Sequence, residues 1–349
     1  SETYFLLQLT EGGETVKIVP IKEWFRKWRN FRGSIYYDDR KSWLTKKVKA
    51  FLLSLFRFIL LVGVGYVIIS PLIGIVARSF YSNTDHYNPL VLVLPQEPTL
   101  IRYMTAIDHM QYYLTMPLTI LYTAVLTFIQ VMICSLVGYG FARFNFPLKK
   151  ILFALVVVMI VMPLHTIALP LFITFREFNP LGIISLIFGK PANLMGTPIP
   201  ILIMTIFGCG LSSGIYIYIF NQFFRGLPKE IEEAALVDGA GTFYTYLRIM
   251  LVNAMPAVIT VLVFSMVWQY NDKTYADLFS VPSIILISKR LVGMPANMLE
   301  VTDGAGEDPT LTLLSISAGV VLVLVPIIIA YVLLQKRFVE GVERSGIVG

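Results

Sequence analysis

Charge is what this 349-residue chain has least of. Asp, Glu, Lys and Arg make up 14% of it, against roughly a quarter in a soluble domain. With 56% hydrophobic residues, an ordinary water-soluble fold is excluded. Cysteine is nearly absent: Cys134 and Cys209 both fall inside apolar runs. That excludes a disulfide framework or thiolate metal site and predicts two small buried hydrophobes. No phosphate loop is present, since GKPAN at 189–193 lacks the leading Gly and the Ser/Thr. No nucleophile, metal cluster or acid pair stands out. SETYFLLQLTEGGETV has no basic stretch followed by an apolar core, so no cleavable signal peptide is expected.

The apolar runs lack carboxylates as well. Their ionisable residues are Arg57 and Arg78, near the two ends of the first, and His165 in the third. A lone histidine after Pro163 reads more readily as a helix-packing residue than as a relay. A proton- or sodium-coupled carrier needs intramembrane carboxylates to hold its ion, and a selective channel needs a charged ring or a carbonyl filter. Both are disfavoured. Ten-residue alternating strands are absent, which argues against an outer-membrane barrel.

What is present is a set of apolar runs near the roughly 20 residues that cross a bilayer as a helix. They predict an all-α polytopic membrane protein with six spans, at about 51–80, 114–142, 151–175, 199–224, 256–271 and 311–335. Eleven of the 28 Lys and Arg residues lie in the first fifty positions, so the N-terminus is expected inside. Six spans then return the C-terminus, with Lys336, Arg337 and Arg344, to the same side. The inside segments hold about 20 Lys and Arg and the outside segments, 81–113, 176–198 and 272–310, about 6. The outside segments are long and rich in Pro, Asn, Gly and aromatics, as ordered caps would be.

The basic segment 1–50 leads into a span, which favours a topology anchor over a nucleic-acid arm. Within it, IKEWFRKWRNFR at 21–32 sets Ile21, Trp24, Phe25, Trp28 and Phe31 at helical spacing among basic residues. This suits a helix on an anionic lipid surface or one packed on another subunit. Pro71, Pro117, Pro163, Pro170, Pro200, Pro256 and Pro326 fall in or beside spans, where bundles tolerate kinks.

The inside loop 225–255 is the most informative stretch. Pro228 suits the start of a helix, and Glu230, Glu232 and Glu233 suit its first turns. Ile231, Ala234 and Ala235 make a narrow face able to approach a partner closely. Asp238-Gly239 is a stop signal, and Thr242 is positioned to cap the next helix, through Phe243, Tyr246, Leu247 and Ile249. The residues alone fit either an interfacial re-entry helix or a docking helix.

EAALVDGAG, followed by IML and Pro256, resembles the EAA loop of ABC-importer permeases, whose motif reads E-A-A-x-x-D-G-A and then I-x-L-P. Glu233, Ala234, Ala235, Asp238, Gly239, Ala240, Ile249 and Leu251 stand at the matching offsets; Val252 replaces the usual proline. GYGFARFNFPLKKILF (138–153) resembles the connection between the second and third spans of carbohydrate permeases. VWQYND (267–272) is more loosely similar to the end of their fifth span. QKRFVEGVERSGIVG is similar to the tail of the smaller permease subunit of maltose-type systems.

The resemblance covers about 51–349 and implies a type I ABC importer permease fold. It also implies a second, different permease subunit, two copies of a cytoplasmic ATPase holding ATP and Mg, and an extracytoplasmic solute-binding protein. Glu233, Ala234, Ala235, Asp238, Gly239 and Ala240 would form the ATPase-coupling element; this chain itself would be no enzyme and hold no cofactor. It implies a bacterial cell membrane location and a sugar or oligosaccharide as cargo. Trp268, Gln269, Tyr270 and Asn271 offer aromatic faces and amides suited to a sugar, as candidate pathway residues, but an aromatic cluster at a span end reads more readily as an interface belt or as packing. The loop 272–310 would either reach into the binding protein or cap the surface. A non-sugar solute, a secondary carrier and a membrane scaffold are the remaining readings.

Overall fold

The computed structural model describes residues 21–301 and 309–346, with side chains for 46–295 and 310–336. The first twenty residues lie outside the described ones. The regular structure among the described residues is helical, apart from one isolated antiparallel bridge between Phe178 and Ala192. Two units are distinguished, 1–73 and 74–349.

The described part of the first unit belongs to helix α1, Ile21–Arg78, which is 58 residues long. The expected amphipathic segment 21–32 and the first span are thus one uninterrupted helix, with no turn near residue 50. The amphipathic face itself lies outside the described side chains. Pro71 sits inside this helix without ending it.

The second unit contains α2 (Ile101–Met110), α3 (Tyr112–Arg143), α4 (Lys149–Val161), α5 (Leu164–Arg176), α6 (Ile199–Ile206), α7 (Ser213–Gly226), α8 (Glu230–Val237), α9 (Met255–Tyr270), α10 (Ile287–Val301) and α11 (Pro309–Gly346). Its spine is α3. The buried residues Thr115, Thr119, Thr123, Leu126, Gln130, Cys134 and Gly138 recur every three or four positions, so they share one face of a 3.6-residue helix. Most are small or polar. Lipid tails are as apolar as leucine, so membrane helices associate through close backbone approach and hydrogen bonds, not hydrophobic contrast. Gly138 shows this directly. A Cβ there would stand 2.6 Å from the Phe220 Cβ and 3.0 Å from the Asn221 nitrogen on α7.

The apolar runs are largely helical, and among the described residues three are uninterrupted helices long enough to cross a membrane: Lys46–Arg78, Tyr112–Arg143 and Thr310–Lys336. The third run bends by 107° between α4 and α5, where Met162 and Pro163 are extended. Proline disfavours helix at the residue before it. The segment entering α9, Thr242–Asn253, meets it at 80°, and Pro256 stands in the first turn of α9, where its missing N–H costs nothing. Tyr246–Met250 just before is a π-helical turn. The run 199–224 is two helices, α6 and α7, separated by the non-helical Phe207–Ser212. The six-span expectation is met in part among the described residues: three continuous helices, or up to five spans if each bent pair counts once, have the length and composition of a span.

The break also corrects the reading of the cysteines. Cys134 is buried, but Cys209, inside the break, is exposed. His165 is exposed beside the α4–α5 bend and is not a packing residue among the described contacts.

Much of the segment 272–310 is built into the core. Ile287 and Met294 of α10 are fully buried with Ala106, Met110 and Ala318, and Leu291 lies close enough that a Cβ on Gly319 would be 2.8 Å away. Its described side chains, 272–295, include the buried Tyr275, Ala276, Phe279, Val281, Leu286, Ile287 and Met294; those of 296–309 lie outside the description.

Gly138→Val is expected to destabilise the chain by about 1–3 kcal/mol, because the branched side chain meets α7 backbone. A lower unfolding temperature of the detergent-solubilised protein, with Gly140→Val close to wild type, is the measurement that checks it.

Candidate functional site

Helix α8 carries three glutamates in its first turn, where they face the positive end of the helix dipole. Its far end is closed by backbone alone. The Gly239 N–H donates to the Leu236 carbonyl at 3.1 Å and the Ala240 N–H to the Ala235 carbonyl at 3.0 Å, with Gly239 at φ +82°. This is a Schellman motif, which satisfies carbonyls that a helix end leaves unpaired. It accounts for the spacing of Ala235, Asp238, Gly239 and Ala240: the left-handed position requires glycine, and the next residue folds back on Ala235.

The helix divides its faces differently from the sequence expectation. Ile231 packs on the cluster of Tyr139, Phe224 and Tyr246, and Ala235 is buried. These two are used by the chain's own core, so they do not form a partner-facing strip with Ala234. The outward surface is Glu233, Ala234, Leu236, Val237, Asp238 and Gly239, beside exposed Phe243 and Tyr244. Val237, 87% exposed, is the most prominent apolar side chain of the helix. Thr242 opens the next helix, but no side chain caps that helix.

Glu232, assigned from sequence only a helix-dipole role, is the anchor of α8. The Tyr139 hydroxyl donates to its Oε1 at 2.6 Å, and Arg143 Nε lies 3.4 Å from its Oε2, with both side chains largely buried. Arg143 Nη2 also donates to the Leu227 carbonyl at 2.8 Å. Tyr139 stands edge-on to Phe224 and tilted against Tyr246, with centroids 5.4 and 5.2 Å away. Tyr246 in turn shares a 2.6 Å hydrogen bond with Ser135. The last two turns of α3 thus grip α8 and the turn that follows it. Tyr139 and Arg143 come from the 138–153 stretch already singled out, but an ion pair spanning 89 positions leaves no mark in a single sequence.

The expected pathway quartet does not converge. Successive helix residues point about 100° apart, and each of the four has a different environment. Gln269 is fully buried and donates through Nε2 to Gln130 Oε1 at 3.0 Å. Tyr270 is buried and donates to the Val323 carbonyl at 2.8 Å. Trp268 and Asn271 are exposed, and Asn271 bonds its own helix at Val267. The sequence missed a different feature. A cavity of about 320 Å³ opens between the α4–α5 bend and the α6–α7 break, lined in part by Met162, Leu164, Cys209, Ser212 and Tyr275. The signal available in the sequence was the Gly208-x-Gly210 pair inside an apolar run.

Asp272 follows α9 and is buried. Burial pushes its carboxyl up from 3.8 to about 6, against the lowering effect of hydrogen bonds from the Tyr275 and Thr274 backbone; Asp277 raises it further. Burial acts upward on Asp277 too, but hydrogen bonds from Lys273 and Lys289 outweigh it and hold that carboxyl low. Lys289 Nζ is 3.0 Å from Asp277 Oδ1.

Compared with known proteins, residues 130–344 match the family of binding-protein-dependent transport system inner membrane components. The chain belongs to that family. Among relatives of this permease is an arabinooligosaccharide transport permease of Bacillus subtilis, 26% identical over 66% of this chain and 70% of that protein. An alpha-glucoside transport permease of Rhizobium meliloti is 31% identical over 64% of this chain and 53% of its own length. A sulfoquinovosyl glycerol transport permease of Agrobacterium fabrum is 24% identical over 80% and 88%. The fold is that of a chain in the crystal structure of a bacterial ABC transporter importing alginate, with TM-score 0.66, 17% identity, and coverage of 82% of this chain and 96% of that one.

Two outcomes follow for the permease. Arg143→Met leaves Glu232 buried without its cation and is expected to cost about 3–5 kcal/mol, with Arg143→Met/Glu232→Gln recovering part of it; a double-mutant cycle on thermal unfolding measures this. Since the folded state holds the Asp272 proton more tightly than the unfolded chain, stability should decline as pH rises from about 4 to about 6 and level off above. Asp272→Asn, which still accepts the Tyr275 N–H, should flatten that decline in a pH series of melting temperatures.

Proposed function

We propose that this chain is one of two permease subunits of an ATP-driven importer in a bacterial cytoplasmic membrane, with both termini on the cytoplasmic side. The observation that carries the reading is the outward face of α8. It is a short helix, closed by its own Schellman turn and clamped to α3, that presents Glu233, Ala234, Val237 and Asp238 to a partner. A rigid element of this kind transmits displacement without absorbing it. The partner is a cytoplasmic ATPase, present in two copies and holding ATP and Mg; the permease contributes no nucleotide site. Closure of the ATPases moves α8, and with it α3 and α7, toward the outward-facing state; hydrolysis resets them. A second, different permease subunit completes the pathway, and an extracytoplasmic binding protein delivers the solute.

The cargo we infer is a sugar or oligosaccharide. Support comes from the relatives, several of which are named for arabinooligosaccharides, alpha-glucosides or starch degradation products. A relative from Synechocystis named for osmoprotective compounds, 28% identical over 63% of this chain, keeps a non-sugar small solute as the second reading.

Glu233→Lys and Gly239→Pro are each expected to abolish solute-stimulated ATP hydrolysis while leaving membrane insertion intact. Glu233 is exposed and makes none of the contacts that hold α8, whereas proline is excluded at φ +82°. Normal stimulation in assembled, purified variants would overturn the assignment of α8 as the coupling element.

A further inference from the structure

The cavity between the α4–α5 bend and the α6–α7 break belongs to neither the coupling helix nor the expected pathway quartet. One wall is apolar, from Ile160, Met162 and Ile167. The non-helical break lines it as well. Gly210, Leu211 and Ser212 line it, and their amide N–H groups find no acceptor among the described residues. They lead into the N-terminus of α7, a 14-residue helix whose positive dipole end adds to the donor character. Tyr275 also lines it. It is 8% exposed, and its hydroxyl has no hydrogen-bond partner among the described residues, although its backbone N–H is taken by Asp272.

Backbone donors without partners are costly at membrane depth, and non-helical backbone persists there where it lines a cavity that holds something polar. A volume of about 320 Å³ is near the lower end of ligand pockets, which run from roughly 300 to 1,000 Å³. It accommodates one ring, not a chain of them. No Asp, Glu, Lys or Arg lines it, so an ionised group would enter without a counter-charge. The lining offers amides without hydrogen-bond partners at Gly210 to Ser212, one hydroxyl able to donate or accept, and apolar side chains.

We propose that this cavity is a solute subsite that holds one ring of an uncharged sugar. Ring hydroxyl oxygens accept from the Gly210–Ser212 amides, Tyr275 bonds a further hydroxyl, and the apolar wall covers a C–H face of the ring. The proposal rests on the sugar reading of the cargo and locates it within this chain.

Cys209 sits in the lining and reports on occupancy, since Cys134 is fully buried. The assembled importer in lipid bilayers is treated with a small methanethiosulfonate reagent, with maltose, arabinobiose or glucuronate present, and modification of Cys209 is followed by mass spectrometry. In parallel, uptake of each compound is measured. One of the neutral sugars should slow modification by about tenfold when present at ten times its half-saturating concentration. Tyr275→Phe should leave modification without sugar unchanged and raise the sugar concentration needed for protection about fivefold or more. A Cys209 that does not react without sugar overturns the open cavity, and protection by glucuronate equal to that by the neutral sugars overturns the uncharged-ring assignment. Unchanged modification beside measurable uptake of a neutral sugar overturns the subsite and leaves the cargo reading standing. Unchanged modification with uptake of none overturns both.

Discussion

The bundle depends on one side chain that allows a membrane helix to stop halfway. Between α6 and α7 the backbone leaves the helix for six residues, and no water in a bilayer core is available to satisfy the groups set free. Gln130, on the buried face of α3, donates to the Leu211 carbonyl at 2.6 Å and to Ser213 Oγ at 3.1 Å. Its carbonyl oxygen accepts from Ser265 at 2.6 Å and Gln269 at 3.0 Å on α9. One amide thus ties the break to the spine and the spine to α9. An apolar residue at 130 would leave the Leu211 carbonyl and two side chains of α9 without these partners, each costing about 1–3 kcal/mol. The stripe of threonines, Ser135 and Gly138 on the same face brings the neighbouring helices close enough for so short a side chain to reach.

The second constraint lies at the other end of the same helix. Tyr139 and Arg143 hold Glu232, so α8 is attached to the bundle in two ways: covalently through α7 and the turn after it, and by an ion pair to α3. A helix joined only to α7 and α9 would be free to roll about its two linkers. The clamp removes that freedom and fixes which face is presented, with Ile231 and Ala235 inward and Glu233, Ala234 and Val237 outward. The two constraints sit roughly two and a half turns apart or more on one helix, at Gln130 and at Tyr139 to Arg143. On the proposed coupling role of α8, a displacement delivered there would reach the region of the break through α3 itself.

The sequence made the helical class and the loop legible because both are written in local pattern. Twenty apolar residues read as a span whatever surrounds them, and Ala235-x-x-Asp238-Gly239-Ala240 reads as a helix stop because the Schellman turn is local. The interruptions were harder. Hydropathy is indifferent to whether an apolar run is one helix or two, so 199–224 reads as a single span although Gly208, Gly210 and two serines lie inside it. The quartet at 268–271 was chosen for its aromatic and amide chemistry, which is silent about direction, and the helix sends those four residues to different sides. Ion pairs and hydrogen bonds between distant positions, Arg143 with Glu232 and Gln130 with Ser265 and Gln269, carry no local signature. The burial of Ala235 against the chain's own core was hidden as well, because a small residue suits either side of an interface.

The scarcity of charge in the spans and the abundance of breaks in them belong together. On the proposed reading, in which a partner ATPase supplies the energy, the chain has no need of intramembrane carboxylates, whose burial is expensive and whose usual task is to hold a coupling ion. It still needs polarity wherever a hydrophilic solute is to pass. Interrupted backbone supplies that polarity without ionisable groups: amide donors at Gly210 to Ser212, carbonyls that neutral side chains can satisfy, and the positive end of α7. Such a surface is insensitive to pH, attracts no counter-ion and pairs with hydroxyls weakly enough to release them. Gln130 is then both a structural and a selective element. By occupying the Leu211 carbonyl and leaving the neighbouring N–H groups unpaired, it makes the exposed edge of the break a wall of donors, and the chemistry of that wall favours a solute rich in acceptor oxygens over one that carries charge.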